Sequence, residues 1–306
     1  MQNSKNGDTV VVKQQKIDFV GKRNIFFIIM GVVFLAGLSS FFVRGFNWDI
    51  DFVGGTLMEY NINKEVSADD LDKIERIVSD VIGFAPSSVV KSGNPARQVT
   101  IKTKDITSEQ RKAVFEALTE EYDMTEDDIY VANNVAPTVG KTLAQNTIIA
   151  VGLAVVLMLV YIIFRFEFYS GLAAVLCLIF NMFVMLTFYS LSQIPMNMTV
   201  IAAFLTILGY SINATIIIFD RIRENMNLKK GANFGDLVNE GTNQTFVRSL
   251  NTTITTLLTI TCVYILGVPS IKAFAMPLIV GILAGLFSSV CVAGPLWDLI
   301  RPKKAK

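Results

Sequence analysis

Residues 24–43 read NIFFIIMGVVFLAGLSSFFV, an unbroken apolar run without a single Asp, Glu, Lys or Arg. A helix that crosses a hydrocarbon core of ~30 Å needs ~20 such residues. Five further runs of the same kind follow, at 143–164, 171–191, 199–219, 251–268 and 273–297. They are continuous rather than alternating, which excludes a membrane β-barrel and leaves helices that satisfy their own backbone groups. The expected fold class is therefore membrane α-helical with six spans, in a chain of 306 residues that is 52% hydrophobic and has a mean hydropathy of +0.50. The first run is expected to be a retained helix. It is too long for the apolar part of a signal peptide, and no small-residue cleavage site follows Phe41-Phe42-Val43-Arg44.

Lysine and arginine set the orientation. Lys5, Lys13, Lys16, Lys22 and Arg23 precede the first span, and Arg165 sits between the second and third. Arg221, Arg223, Lys229, Lys230 and Arg248 lie between the fourth and fifth, and Arg301, Lys303, Lys304 and Lys306 follow the last. The opposite short loops, 193–197 and 269–272, carry only Lys272. Both ends, 1–23 and 301–306, are thus expected in the cytoplasm, with 24–43 as helix 1 and 142–300 as helices 2–6. The loop 220–250 holds Phe234, Leu237, Val238 and Phe246 among polar residues. It suits either a juxtamembrane helix on the inner surface or a plain connector.

The polar insert, 44–141, is expected outside. It has twice as many acidic as basic residues over 45–140. Alternation over 56–62 and 98–103 predicts two strands, 128–134 a third, with a short addition near Val89-Val90. Ser67 followed by Asp69 and Asp70, and Thr107 followed by Ser108 and Glu109, predict two capped helices. The order is that of a small ferredoxin-like α+β sandwich. Gly54-Gly55 before the first strand predicts a turn with positive φ or close backbone packing. Asp49/Asp51 and Asp127/Asp128 are read as solvated surface acids rather than catalytic pairs.

Cys177, Cys262 and Cys291 all fall inside predicted spans, with no disulfide or metal spacing, and histidine is absent. No phosphate-binding glycine loop, nucleophile elbow or metal triad is visible, so neither a catalytic residue, a metal nor a cofactor is assigned. Nothing points to nucleic acid. Proton chemistry would have to use carboxylates or a partner chain. The polar groups inside the spans therefore carry the functional reading. In the fourth span Thr206, Gly209, Asn213 and Asp220 fall near one helical face. Asn213 suits a polar cavity or interhelical hydrogen bonding, and Asp220 either an ion path or an anchor for Arg221 or Arg248. In the last span Gly281 and Gly285, then Ser288 and Ser289, suit close helix packing.

These residues resemble the SecD/SecF family of protein-export membrane proteins, within the RND superfamily. The similarity runs from about residue 19 to 299. Asn47-Trp48-Asp49-Ile50-Asp51-Phe52-Val53-Gly54-Gly55-Thr56 resembles the family signature after the first span. Gly209-Tyr210-Ser211-Ile212-Asn213 and Phe219-Asp220-Arg221 resemble the fourth-span motif, Arg248-Ser249-Leu250-Asn251 the start of the fifth, and Gly281 to Gly285 with Ser288-Ser289 the sixth. The resemblance implies an RND-type six-helix bundle docked on six helices of SecD. It further implies partners in the SecYEG channel, YajC, SecA and unfolded precursors, within the lipids of the bacterial cytoplasmic membrane. The implied role is accessory: late stages of precursor export driven by an ion gradient, without ATP. Asn213, Thr215, Asp220 and Arg248 become candidates for the ion pathway. Gly54, Gly55 and Pro137, the latter in the Ala136-Pro137 step, become candidate hinges of the outer domain. Proton-coupled relatives usually carry Asp after the fourth-span Asn, and this chain has Ala214. A partner carboxylate, a sodium site of neutral oxygens, or a non-coupling structural subunit are the three readings of that departure. A small-molecule or lipid exporter of the same superfamily is the alternative function; such exporters usually have two inserts and about twelve spans.

Overall fold

The computed structural model describes residues 17–92, 97–135, 137–165, 167–267 and 269–302. Lys5, Lys13, Lys16, Ala136, Lys303, Lys304 and Lys306 lie outside them. The long helices are α1 (Arg23–Val43), α5 (Pro137–Arg165), α6 (Phe168–Ser192), α7 (Thr199–Leu228), α8 (Phe234–Leu266) and α9 (Pro269–Phe287). The last continues through a π-helical turn (Ser288–Ala293) into α10 (Gly294–Ile300). Among the described residues six helical stretches are long and apolar enough to cross a membrane, α9 and α10 together forming the sixth. The core of the bundle lies between α6, α7 and α9–α10, where Ala173, Cys177, Leu208, Phe219, Ile222 and Val292 are buried. Trp297 is wholly buried, its ring 4.9 Å from Phe219 and 5.1 Å from Phe234.

The stretch 220–250 differs from both expectations. It is neither a separate surface helix nor a plain connector. α7 and α8 have 30 and 33 residues, about 45 and 50 Å at 1.5 Å per residue, and so outrun the hydrocarbon thickness. They meet in a short turn where Gly231 has φ 90° and the Asn233 side chain accepts from Gly235 N. Polar cross-links hold the hairpin beyond the apolar part. Arg221 Nε and Asn225 Nδ2 both donate to Gln244 Oε1, at 2.6 and 2.9 Å, and Lys229 pairs with Glu240 at 2.6 Å. Gly241 permits the close approach: a Cβ there would stand 3.0 Å from Ile222 N.

Between α1 and α5 the chain forms α2 (Ile50–Val53), β1 (Gly55–Asn61), α3 (Ala68–Ile82), β2 (Ser88–Ser92), β3 (Gln98–Thr103), α4 (Ser108–Tyr122), a 3₁₀ turn (Glu126–Asp128) and β4 (Ile129–Val135). The sheet order is β2-β3-β1-β4 with every pairing antiparallel. This is the ferredoxin-like arrangement, the addition near Val89-Val90 being a full strand. Both helices begin with reciprocal capping boxes, Ser67 with Asp70 and Thr107 with Gln110. Gly83, at φ 82°, ends α3 in the left-handed conformation that glycine adopts without strain. Met58, Tyr60, Val99 and Ile101 on one sheet face pack against Ile74, Val78, Val114 and Leu118 of the helices.

Asp128 ties the ends of this domain together. Its carboxylate accepts from Thr125 N (2.8 Å), Thr125 Oγ1 (3.0 Å), Asn63 Nδ2 (3.0 Å) and Asn61 Nδ2 (3.2 Å). The Thr125 amide above all, then the Asn63, Thr125 and Asn61 side chains, lowers its pKa below 3.8 against the opposing effect of burial. The folded value is below the unfolded one. Its stabilisation is therefore fully present above about pH 4 and lost as pH falls through the folded value. Asp128→Ala is expected to remove about 1–2 kcal/mol. In the full chain, amide hydrogen exchange at β1 and β4 should quicken roughly tenfold, and the variant should lose less stability than the wild type on acidification below about pH 4.

Candidate functional site

α7 carries polar groups on two faces. One faces the protein. Asn181 of α6, Ser211 and Thr215 of α7, and Ser288 and Ser289 of the π-turn are all buried. Asn181 Nδ2 donates to Ser211 Oγ at 2.5 Å, and the hydroxyls of Thr215 and Ser289 lie 2.9 Å apart. Ser289 Oγ donates to Ser211 O at 3.2 Å, and Thr215 Oγ1 donates to the same carbonyl at 3.1 Å. Asn181 Oδ1 is buried without a hydrogen-bond partner among the described residues. A π-turn takes one more residue than an α-turn and is common where helices do functional work; here it points Ser289 at α7, while the Ser288 hydroxyl donates to Gly285 O of its own helix at 3.1 Å. Gly285 allows this approach, since a Cβ would meet Ser211 Cβ at 3.3 Å. A Cβ at Gly281 would meet Ile207 and Met185 at under 3 Å.

The other face is open. Thr206 and Asn213 are exposed, Gly209 has nothing within 4 Å of where a Cβ would be, and Ala214 is half-buried. Tyr210 OH donates to Thr253 Oγ1 of α8 at 3.2 Å. Along α8 the exposed residues include Arg248, Asn251, Thr252, Thr255 and Thr259. Thr252, Thr255 and Thr259 return their hydroxyls to their own helix, at 2.8, 2.8 and 3.0 Å. Among the described residues the side chains of Asn213 and Arg248 make no such bond. Lipid-facing polar and charged groups are costly, so they normally face a bundle interior or a water-filled path. Among the described residues no carboxylate pairs with Arg248. Asp220 is half-buried and lies 3.8 Å from Arg223, not against Arg248.

Of the candidate hinges, Gly55 is tightly packed. Gly54 has φ 80° and Gly55 φ 148°. A Cβ on Gly55 would stand 2.2 Å from Thr103 O, and one on Gly140 of α5 2.8 Å from Phe52 O. Pro137 opens α5. The preceding linker is pinned to the loop between α6 and α7. Met196 N donates to Asn47 O at 2.8 Å, Asp49 N to Met196 O at 3.0 Å, and Ser190 Oγ to Gly45 O at 2.9 Å. Sequence reasoning passed over Asn181, although an amide in the middle of an apolar run is itself a signal. It also passed over Gly241 and the partners of Asp49 and Asp51, which only the tertiary fold discloses. Among the described residues no cluster of His, Cys, Asp and Glu could hold a metal ion.

A multi-pass membrane subunit with an α+β insert, a closed polar interior and an open polar helix face is the class that this geometry defines. Residues 114–303 match the family model of the protein export membrane protein SecD/SecF C-terminal region, and residues 39–66 match the SecD/SecF GG motif. The chain belongs to the SecD/SecF family. It is 34% identical to protein translocase subunit SecF of Petrotoga mobilis, covering 92% of this chain and 94% of that one. It is 36% identical to protein translocase subunit SecDF of Bacillus subtilis, where it covers 95% of itself and 39% of the relative. The crystal structure of SecDF from Thermus thermophilus superposes with a TM-score of 0.81 at 30% identity, over 92% of this chain and 38% of that one. The chain thus spans about two fifths of the SecDF proteins and nearly all of the SecF relative.

The close contact of α7 with α9 makes a specific expectation. Gly285→Leu puts a branched side chain against Ser211 and should cost about 1–3 kcal/mol through overpacking. A lowered midpoint of thermal unfolding in detergent checks it, and Gly209→Leu, facing open space, should leave that midpoint nearly unchanged.

Proposed function

We infer that this chain is the SecF-type accessory subunit of the Sec protein translocase. It pairs with a SecD-type chain and promotes the late stages of precursor export across the cytoplasmic membrane at the expense of an ion gradient. The carrying observation is the open polar face of α7 and α8, on which Arg248 and Asn213 stand exposed without a carboxylate. That face calls for a cover with acidic groups of its own. The SecDF relatives, in which both names belong to one longer chain, support a SecD-type chain as that cover.

On this reading the partner supplies the carboxylate that Ala214 lacks, Arg248 is its counter-charge, and Asn213 lines the path beside it, whereas Thr215, the other fourth-span candidate, is buried on the closed face against Ser289. Asp220 stays with Arg223 at the end of the apolar stretch. The lysines and arginines at the α7–α8 turn and at the chain ends support the reading that both termini are cytoplasmic and the α+β domain is outside. There the domain meets unfolded precursor leaving the SecYEG channel, with YajC and SecA as further members of the assembly and the surrounding lipids as solvent. A second reading has one observation in its favour. With Ala214 the chain holds no titratable group at the expected fourth-span position, as a non-coupling structural subunit would.

Precursor release from inverted vesicles containing the chain and its SecD partner separates the two. Release is expected to follow an imposed proton or sodium gradient. Arg248→Ala should lower gradient-driven release at least tenfold, about 1.4 kcal/mol or more, with the complex still recovered intact. Absence of a response to either gradient in the wild type supports the structural reading instead.

A further inference from the structure

Asp49 caps one short helix, α2, and Asp51 lies in its first turn; their carboxylates reach different elements. Asp49 is buried, its side chain 2% exposed. Its Oδ1 accepts from Ile50 N at 2.7 Å and so caps α2. Its Oδ2 pairs with Lys102 Nζ at 2.5 Å. Lys102 lies on β3, directly opposite Leu57 of β1 and Ser88 of β2, on the sheet face away from the domain's helices. Asp51 reaches the bundle: its Oδ2 accepts from Met198 N at 2.9 Å, at the N-terminus of α7. A carboxylate there also meets the positive end of the helix dipole.

We propose that Asp49, Asp51 and Lys102 are positioning residues that carry a displacement of α7 to the α+β domain. α2 is held between the end of α7 and the sheet by one charged contact on each side. The Asp49 contact is buried and the Asp51 contact lies at the surface. Asp49 is buried, and removing Lys102 leaves an uncompensated charge, a costly state. Asp51 bonds a backbone amide of the same helix that carries Asn213, and a helix transmits axial motion as a rod. The glycines that follow do not absorb the motion, because Gly55 abuts Thr103 O and Gly140 abuts Phe52 O. The sequence reading of Asp49 and Asp51 as solvated surface acids is replaced by this bridging role. The proposal rests on the gradient-coupled reading above and adds the path by which the bundle addresses the domain.

The test uses the full chain with its SecD partner in inverted vesicles. Lys102→Met and Asp51→Ala are compared with Lys102→Arg and Asp51→Asn, which keep the charge or the hydrogen-bond acceptor. Three quantities are read: yield of the complex, gradient-driven precursor release, and the gradient-dependent change in distance between spin labels on cysteines introduced at Tyr130 of β4 and Phe42 of α1. Lys102→Met and Asp51→Ala should keep the yield, lose the distance change, and lower release about 3- to 30-fold, the span of single-residue effects on coupling between sites. Lys102→Arg should retain both. Release and distance change at the wild-type level in all four variants overturn the proposal. So does a loss of release that merely follows a loss of complex. A wild type silent under both gradients overturns the coupling reading, and the clamp with it. A responding wild type with responding variants overturns the clamp alone.

Discussion

The exclusion of water from the helix bundle is the constraint on which the rest depends. Inside it, an unpaired polar group costs several times what the same group costs at an aqueous surface. The buried face of α7 meets most of this demand with hydrogen bonds through Asn181, Ser211, Thr215 and Ser289, Asn181 Oδ1 being left without a partner among the described residues. The cost of the π-turn is offset by the contacts that Ser289 makes with α7. The open face does not close. Its threonines fold back on their own helix, but the side chains of Asn213 and Arg248 make no such bond among the described residues. The same physical rule therefore accounts for a tight interior and for a surface that demands a partner.

Much of this was legible in the sequence, for identifiable reasons. The six spans follow from uninterrupted apolar length, which no soluble helix requires. The α+β insert follows from alternation in the strands and from Ser67 and Thr107 at helix starts, both local signals. The polar continuation of α7 and α8 was not legible, because hydropathy falls at Asp220 while the helix persists through side-chain pairs such as Arg221 with Gln244. Asn213 was legible as polar within a span. Whether it faced a cavity inside the chain or a surface outside it depends on the packing of α7 against α8, which the period of a single helix cannot give. Asp49 and Asp51 look alike in sequence, one residue apart from a common neighbour. They part only because a short helical turn directs one to β3 and the other to α7.

α7 is the element through which these features connect. Its N-terminus holds Asp51, its middle carries both polar faces, and its far end forms the hairpin with α8 at Gly241. A shift of α7 against α9 has to break the contacts with Ser289 and move past Gly285, where backbone and side chain are already close. A shift of α7 together with α6, α9 and α10 breaks none of them. The bundle is therefore built to move as a block against whatever covers its open face.

Ala214 sharpens this. A carboxylate beside Asn213 would let the chain balance Arg248 by itself. An alanine leaves a fixed positive charge near the apolar phase, where a guanidinium is not relieved by deprotonation because its pKa lies above 12. The imbalance is removed only by a negative group brought from outside the chain. Any cation that reaches that group competes with Arg248 for it, since one carboxylate cannot fully satisfy both. On the gradient-coupled reading proposed above, protonation of the partner's carboxylate, or its capture by sodium, weakens the attraction across the interface, and reionisation restores it. A chain with no titratable group at this position of its own can still respond to a gradient in that way, through the one charge it cannot lose.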